Sequence, residues 1–105
     1  MGLFNLSQPD INQGIKDYKN TPDAILLDVR SRQEYADGHI PGSRNTPLPE
    51  LPKLAGDIGA KDTPLFVYCL SGGRSQRAVA FLKKVGYTNV NNIGGINNYH
   101  GTVEK

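Results

Sequence analysis

Short apolar runs alternate along the chain with amphipathic stretches, a pattern typical of a parallel sheet whose strands are joined by helices. The apolar runs predict strands at residues 3–6, 24–28, 65–68 and 90–93, and turn residues flank a short extended piece within residues 40–47. The run at residues 24–28 has no polar alternation, which suits a central strand covered on both faces. The pattern therefore predicts an open α/β fold.

Capping and breaking residues mark the first helices. An amphipathic helix follows a start signal at residues 7–10 and runs until Asn20-Thr21-Pro22 breaks it. Ser31 and Glu34 have the spacing of a capping box, which predicts a short helix that Gly38 ends. Residues 49–54 suit one further helical turn.

The last predicted helix covers residues 76–85. Ser75 suits its N-cap, and Gly86 suits a cap at its carboxyl end. Helical spacing places four apolar residues on one face, namely Ala78, Phe81, Leu82 and Val85. This face is predicted to pack against the sheet.

The lone cysteine, Cys69, follows the strand at residues 65–68 and opens a glycine-rich loop before the last helix. A strand that turns through such a loop into a helix aims backbone N–H groups and the positive end of the helix dipole at the loop. Such surroundings lower a cysteine pKa to roughly 3.5 to 7.5. A lone cysteine is more often an inert buried residue, but such a residue needs no Gly72, Gly73 and Arg74 beside it. We therefore expect Cys69 to be a shallow, reactive nucleophile.

Composition and charge limit the classes of partner. A chain of 105 residues predicts one domain, residues 1–105, and the scattered net charge of +2 favours a small anion over nucleic acid. One cysteine excludes an internal disulfide and a multi-cysteine zinc site, and two histidines do not suggest a metal cluster. The first residues lack the features of a signal peptide or membrane anchor. We expect a cytoplasmic protein that binds neither a metal ion nor a membrane.

Several motifs in the right order identify a family resemblance. They are Cys69-x-x-Gly72-x-Arg74-Ser75, with Leu27-Asp-Val-Arg30, Glu34-Tyr35 and Gly38-His-Ile-Pro-Gly42 before it and Gly94-Gly-Ile96 after it. Together they resemble single-domain rhodanese-like sulfurtransferases, over nearly the whole chain. The resemblance implies a three-layer α/β/α sandwich around a five-stranded parallel sheet.

The resemblance also implies a reaction. Cys69 would receive a sulfane sulfur from thiosulfate, or from a protein or low-molecular-weight persulfide, and pass it to cyanide or a thiol, with no cofactor. The donor or acceptor could be another protein. The loop would hold the sulfur and the donor, so the expected substrate-binding residues are Leu70, Ser71, Gly72, Gly73, Arg74 and Ser75.

Two features of this loop bear on specificity. The Arg74 guanidinium either contacts the substrate or braces the loop through a salt bridge, and the sequence leaves both roles open. Leu70 and Ser71 are uncharged, so the loop lacks the additional cation that would favour a dianion. Thiosulfate is therefore expected to be a poor donor.

The upstream motifs are interpreted as scaffold. Asp28 and Arg30 lie where the second strand ends, and Arg30 is spaced to pair with Glu34 one helical turn later. His39 is interpreted as a hydrogen-bonded turn residue outside the active site. Tyr99 stands where many relatives have Trp, which concerns packing near the carboxyl end more than the chemistry.

Three other functions compete with sulfur transfer. A persulfide carrier without turnover, or a sulfide-sensing module, would use the same cysteine. A cysteine phosphatase or arsenate reductase is less favoured, because Cys69 and Arg74 enclose four residues and the phosphatase signature encloses five. A nucleotide-binding loop is less favoured still, because it would end in Gly-Lys-Ser or Gly-Lys-Thr.

Overall fold

The computed structural model describes residues 9–105, which form a parallel sheet with helices on both faces. The strands are β1 (Ile25–Asp28), β2 (Ser43–Asn45), β3 (Leu65–Cys69) and β4 (Val90–Gly95). The helices are α1 (Ile11–Lys19), α2 (Arg32–Asp37), α3 (Leu51–Leu54) and α4 (Gly73–Lys84), with short 3₁₀ turns at Leu48–Glu50, Ala55–Asp57 and Ile96–Asn98. The predicted α/β class is confirmed.

All pairings between the described strands are parallel, in the order β2-β1-β3-β4. The resemblance implied five strands, and the sheet of the described residues has four. The additional strand predicted at residues 3–6 lies outside the described residues. Since β3 lies between β1 and β4, its carboxyl end is interior to the sheet, where open α/β folds place their ligands.

Side chains of successive strand residues point to opposite faces, and this divides the core into two clusters. One face packs against α1, and its buried members are Ile11, Ile15, Leu26, Ile40, Phe66, Tyr68 and Ile93. The other face packs against α3 and α4, and its strand members include Leu27, Leu65, Val67, Cys69 and Val90. The cysteine therefore belongs to the face that α4 covers.

The first two helices begin as their sequences predict. The Asp10 carboxylate accepts the Asn12 backbone N–H at 2.9 Å and caps α1. At α2, the Ser31 hydroxyl accepts the Glu34 N–H and the Glu34 carboxylate accepts the Ser31 N–H, so the capping box is present. Gly38 ends α2, which confirms both predicted boundaries of this helix.

The beginning of α4 corrects the prediction. The N-cap is Gly72, whose left-handed φ of 107° favours glycine, and Ser75 is the third residue of the helix. The predicted apolar face is also partly wrong, because Val85 is the half-exposed residue that ends the helix and Val79 is buried instead. Among residues 9–105, no helix combines the length and the apolar character needed to cross a membrane.

Candidate active site

Cys69 is the last residue of β3 and is only 1% exposed to solvent. This corrects the expectation of a shallow thiol. Strand alternation turns its side chain toward α4, and the following loop closes over it. The sulfur is therefore covered by the loop and is not open to solvent.

The loop after Cys69 folds around the sulfur atom. The Gly72 backbone N–H donates to Cys69 Sγ at 3.0 Å. The loop also lies directly on the end of β4: a Cβ atom on Gly95 would overlap the Leu70 carbonyl and lie 2.6 Å from Ser71 Cα. Two glycines thus allow this geometry, one through its φ angle and the other through the close approach of two backbones.

The Ser75 side chain is completely buried beside the cysteine. Its Oγ lies 3.5 Å from Cys69 Sγ, 3.0 Å from the Gly72 carbonyl oxygen and 2.8 Å from Asn92 Oδ1. The hydroxyl reaches the sulfur because Ser75 lies in the first turn of α4 instead of capping it. It is the nearest side-chain hydrogen-bonding group recorded for the sulfur among the described residues.

Two opposing effects act on the thiol. Burial raises the pKa of Cys69, whereas hydrogen bonds from the Ser75 hydroxyl and from backbone N–H groups of the loop lower it, and the net pKa lies below the ordinary value. The direction agrees with the sequence argument. The cause is local hydrogen bonding, which stabilises the thiolate and thus favours nucleophilic attack.

The Arg74 guanidinium forms an ion pair with Glu34. Its two terminal nitrogens donate to the two carboxylate oxygens at 2.7 and 3.0 Å, which joins α4 to α2. The pKa of Glu34 is lowered to about 2, chiefly by this pair. The bracing contact that the sequence left as one of two roles is thus present.

The upstream residues form a separate buried network. Asp28 accepts three hydrogen bonds from the Arg30 side chain and one from its backbone N–H, and Arg30 also donates to the Gly38 carbonyl at 2.8 Å. The predicted pairing of Arg30 with Glu34 is wrong, because Arg30 precedes α2 and turns inward. His39 stacks on Tyr35 with 3.7 Å between ring centroids.

A cavity of about 320 Å³ adjoins the loop on the side of β4. The described residues that line it carry no charge, and they are Pro9, Ser71, Gly72, Gly73, Gln76, Asn92, Gly94, Gly95 and Asn98. Arg74 does not line this cavity and instead lines a separate groove with Arg32 and Arg77. The polar groups beside the loop are therefore amides, a hydroxyl and the backbone.

The structure brings most of the sequence-predicted site residues into one loop. Cys69, Gly72 and Ser75 are joined by hydrogen bonds, whereas Arg74 is turned toward α2. The residue that sequence reasoning missed is Asn92, whose side chain contacts Ser75 from β4. A polar residue inside an apolar strand was its only signal in the sequence. No group of three or more potential metal ligands comes together within residues 9–105.

Comparison with known proteins agrees with this geometry. The family described as "Rhodanese-like domain" matches residues 12–102. The chain belongs to the rhodanese-like family. The family resemblance seen in the sequence is thereby confirmed.

Individual relatives match much of this rhodanese-like chain. It is 39% identical over 82 residues to the uncharacterized protein YqhL of Bacillus subtilis, a match that covers 77% of this chain and 64% of YqhL. It is 37% identical over 71 residues to the thiosulfate sulfurtransferase PspE of Escherichia coli, covering 67% of this chain and 68% of PspE. The chain thus spans less than two thirds of YqhL.

Solved structures show the same fold. A structure described as a rhodanese with anions from E. coli superimposes on this rhodanese-like chain with a TM-score of 0.71 at 32% identity. The match covers 78% of this chain and 98% of that one.

Proposed function

We propose that this chain is a sulfurtransferase that carries the transferred sulfur as a persulfide on Cys69. The observation that supports the proposal best is the thiol at the end of β3, which accepts the Gly72 N–H at 3.0 Å and has a lowered pKa. A thiolate attacks sulfane sulfur, and these contacts favour the thiolate. Similarity to the thiosulfate sulfurtransferase PspE supports the same chemistry.

In the first half of the reaction, the Cys69 thiolate attacks the outer sulfur of a donor such as R–S–S⁻. A new S–S bond forms, the S–S bond of the donor breaks, and its electron pair leaves on RS⁻. In the second half, an acceptor thiolate or cyanide attacks the outer sulfur of Cys69–S–S⁻, and the electron pair returns to Cys69. The two halves balance without an external oxidant or a cofactor.

The substrate-binding part of the proposal concerns residues 70–75. Backbone N–H groups of the loop hold the persulfide and the Ser75 hydroxyl stabilises the Cys69 thiolate, while Ser71, Gly72 and Gly73 face the adjoining cavity. The Glu34 carboxylate occupies two terminal nitrogens of Arg74. In this proposal Arg74 braces the loop.

The proposed donor is a persulfide of low charge, carried by a small thiol or by a protein. Neither the loop side chains at Leu70 and Ser71 nor the cavity beside them supplies a cation to compensate the second charge of thiosulfate. A thiolate cycle of this kind suits a reducing compartment such as the cytoplasm. Cyanide or a thiol serves as the acceptor.

Intact-protein mass spectrometry tests the proposal. The wild type and Cys69→Ser are incubated with a low-molecular-weight persulfide or with thiosulfate, and cyanide is then added. The expected result is a gain of one sulfur atom that requires Cys69 and that cyanide removes, with faster loading by the persulfide. Sulfur transfer that survives in Cys69→Ser would refute the mechanism.

Sulfur loading, together with two further activity assays, separates the competing functions. A carrier would load from a cysteine desulfurase much faster than from either small donor and would not turn over with cyanide. Hydrolysis of an aryl phosphate that depends on Cys69 would support a phosphatase instead. Reduction of arsenate would support the arsenate reductase alternative.

A further inference from the structure

We propose that Asn92 is a positioning residue that competes with the Cys69 sulfur for the single hydroxyl proton of Ser75. The observation is that three groups surround a buried hydroxyl that has only one proton to donate. The proposal rests on the sulfur-transfer role of Cys69, and it concerns how readily this sulfur takes up negative charge.

The orientation of the Asn92 amide follows from its partners. Its Oδ1 atom lies 3.0 Å from the Gly94 backbone N–H, which can only donate. Its Nδ2 atom points at the Gly72 carbonyl at 3.4 Å, which can only accept. A flipped amide would mismatch both contacts, so Oδ1 is the atom that faces Ser75.

The proton of Ser75 then has one favourable oxygen acceptor. The Gly72 carbonyl has two other donors, the Gln76 backbone N–H at 3.1 Å and the Asn92 amide at 3.4 Å, which compete with the Ser75 hydroxyl at 3.0 Å for its two lone pairs. Asn92 Oδ1 has one lone pair left beside the Gly94 N–H, and it lies closest to Ser75 Oγ, at 2.8 Å. While the sulfur is uncharged, the hydroxyl therefore donates to Asn92.

Charge on the sulfur changes this preference. In the thiol state, the Cys69 S–H can donate to Ser75 Oγ, and the Ser75 hydroxyl then donates to Asn92 Oδ1. In the persulfide, Cys69 Sγ is uncharged and is therefore a weak acceptor. When the acceptor thiolate breaks the S–S bond, the electron pair remains on Cys69 Sγ, and the hydroxyl turns from Asn92 to the sulfur. Asn92 thereby stabilises the uncharged states relative to the leaving thiolate.

The position of Asn92 follows from an irregularity in the sheet. Val67 of β3 pairs with Asn92, but the next residue, Tyr68, pairs with Gly94, so β4 has one extra residue at this point. Bulges of this kind redirect side chains. This bulge begins at Asn92, whose side-chain amide contacts the loop after Cys69.

Other charges around the loop stay constant in the test. They include Arg74 and Arg77 from α4, Glu34 from α2, and the Asp28–Arg30 pair at the end of β1. Strand β4 contains no charged residue. Variants at Asn92 and Ser75 therefore change the hydroxyl pair without changing a formal charge.

The experiment measures alkylation of Cys69 by iodoacetamide between pH 5 and 10, which reports the thiolate without requiring sulfur transfer. Ser75→Ala should slow alkylation at pH 7 by roughly tenfold, because the thiolate loses a donor. Asn92→Ala should accelerate it by roughly threefold to tenfold, because a competing acceptor is removed. In the double variant, the effect of Asn92→Ala should disappear.

A neighbouring residue supplies the matched control. Asn91 lies on the same strand and donates to the Leu65 carbonyl at 3.2 Å, away from the loop, so Asn91→Ala should leave the pH profile unchanged. Asn92→Val, which suits a strand, replaces Asn92→Ala if that variant does not fold.

Three results would overturn the proposal. The first is that Asn92→Ala changes the alkylation rate by the same factor in the presence and in the absence of the Ser75 hydroxyl. The second is an Asn92 variant that alkylates at the wild-type rate or more slowly. The third is an unchanged rate in Ser75→Ala. A failure of sulfur loading with all three alkylation predictions intact would refute the proposed function and leave the hydroxyl competition standing.

Discussion

Removing the charge of Glu34 tests whether its ion pair with Arg74 holds the loop. The pair joins α2 to the first turn of α4 through contacts of 2.7 and 3.0 Å, and its side chains are about one-third exposed. In Glu34→Gln, the amide oxygen can still accept the Ser31 N–H, so the capping box remains while the charge is lost. Because solvent screens a pair this exposed, we expect a loss of about 1 kcal/mol in the free energy of unfolding. This lowers Tm by about 4 to 8 °C.

The pH dependence distinguishes the ion pair from a packing effect. The pKa of Glu34 is lowered from 4.5 to about 2 in the folded chain, so the unfolded chain binds the proton more readily. The stabilisation is present above about pH 4.5 and is lost as the pH falls toward 2. The difference in Tm between wild type and Glu34→Gln should therefore shrink across this range.

Thermal unfolding monitored by circular dichroism at pH 7, 5, 4 and 3 measures this difference. The matched control is Asp37→Asn, which removes another carboxylate from α2. In the described contacts, this carboxylate accepts a hydrogen bond only from Gln33. A Tm difference that is as large at pH 3 as at pH 7 would refute the ion-pair explanation. So would full additivity between Glu34→Gln and Arg74→Ala, since both remove the same pair.

Three further predictions follow from the structure. Alkylation of Cys69 should be half-maximal at a lower pH than alkylation of a cysteine in an unstructured peptide, since its pKa is lowered, and a midpoint at or above that of the peptide would contradict the assigned hydrogen bonds. Gly95→Ala should lower the free energy of unfolding in urea by roughly 2 kcal/mol, because the added Cβ would overlap the Leu70 backbone. In the control Gly56→Ala, the added Cβ meets no atom within 4 Å, and the free energy of unfolding should change by less than about 1 kcal/mol. Tyr68→Phe should cost about 1 to 3 kcal/mol because a buried backbone N–H loses its acceptor; an unchanged urea midpoint would refute this.

Features governed by local sequence were predictable. The apolar run at residues 24–28 and the capping box at Ser31 depend on periodicity and on contacts within three residues. The beginning of α4 was not predictable in the same way. Ser75 has the chemistry of an N-cap, but Gly72 adopts a left-handed conformation that starts the helix earlier, and the loop packing on Gly95 accompanies it. At this helix start, a tertiary contact has a larger effect than the local capping preference.

The candidate site shows the same division. Cys69 and its glycines were candidates from their spacing alone, because a loop that favours a thiolate combines those residue types. The pairing of Glu34 with Arg74 spans 40 residues, and the contact between Ser75 and Asn92 spans 17. No short-range pattern encodes either contact. Both depend on which helices and strands become neighbours in the sheet.

The buried position of Cys69 also determines how the chain would respond to oxidative stress. It is the only cysteine among the 105 residues, so a sulfenic acid formed on it finds no second thiol within them with which to close a disulfide. Recovery would depend on a thiol from outside these residues, which would have to reach the same buried sulfur as the acceptor of the proposed reaction. Low exposure slows the approach of peroxide. The loop that covers Cys69 would therefore set the rates of oxidative damage and of repair as well as the rate of the proposed sulfur transfer.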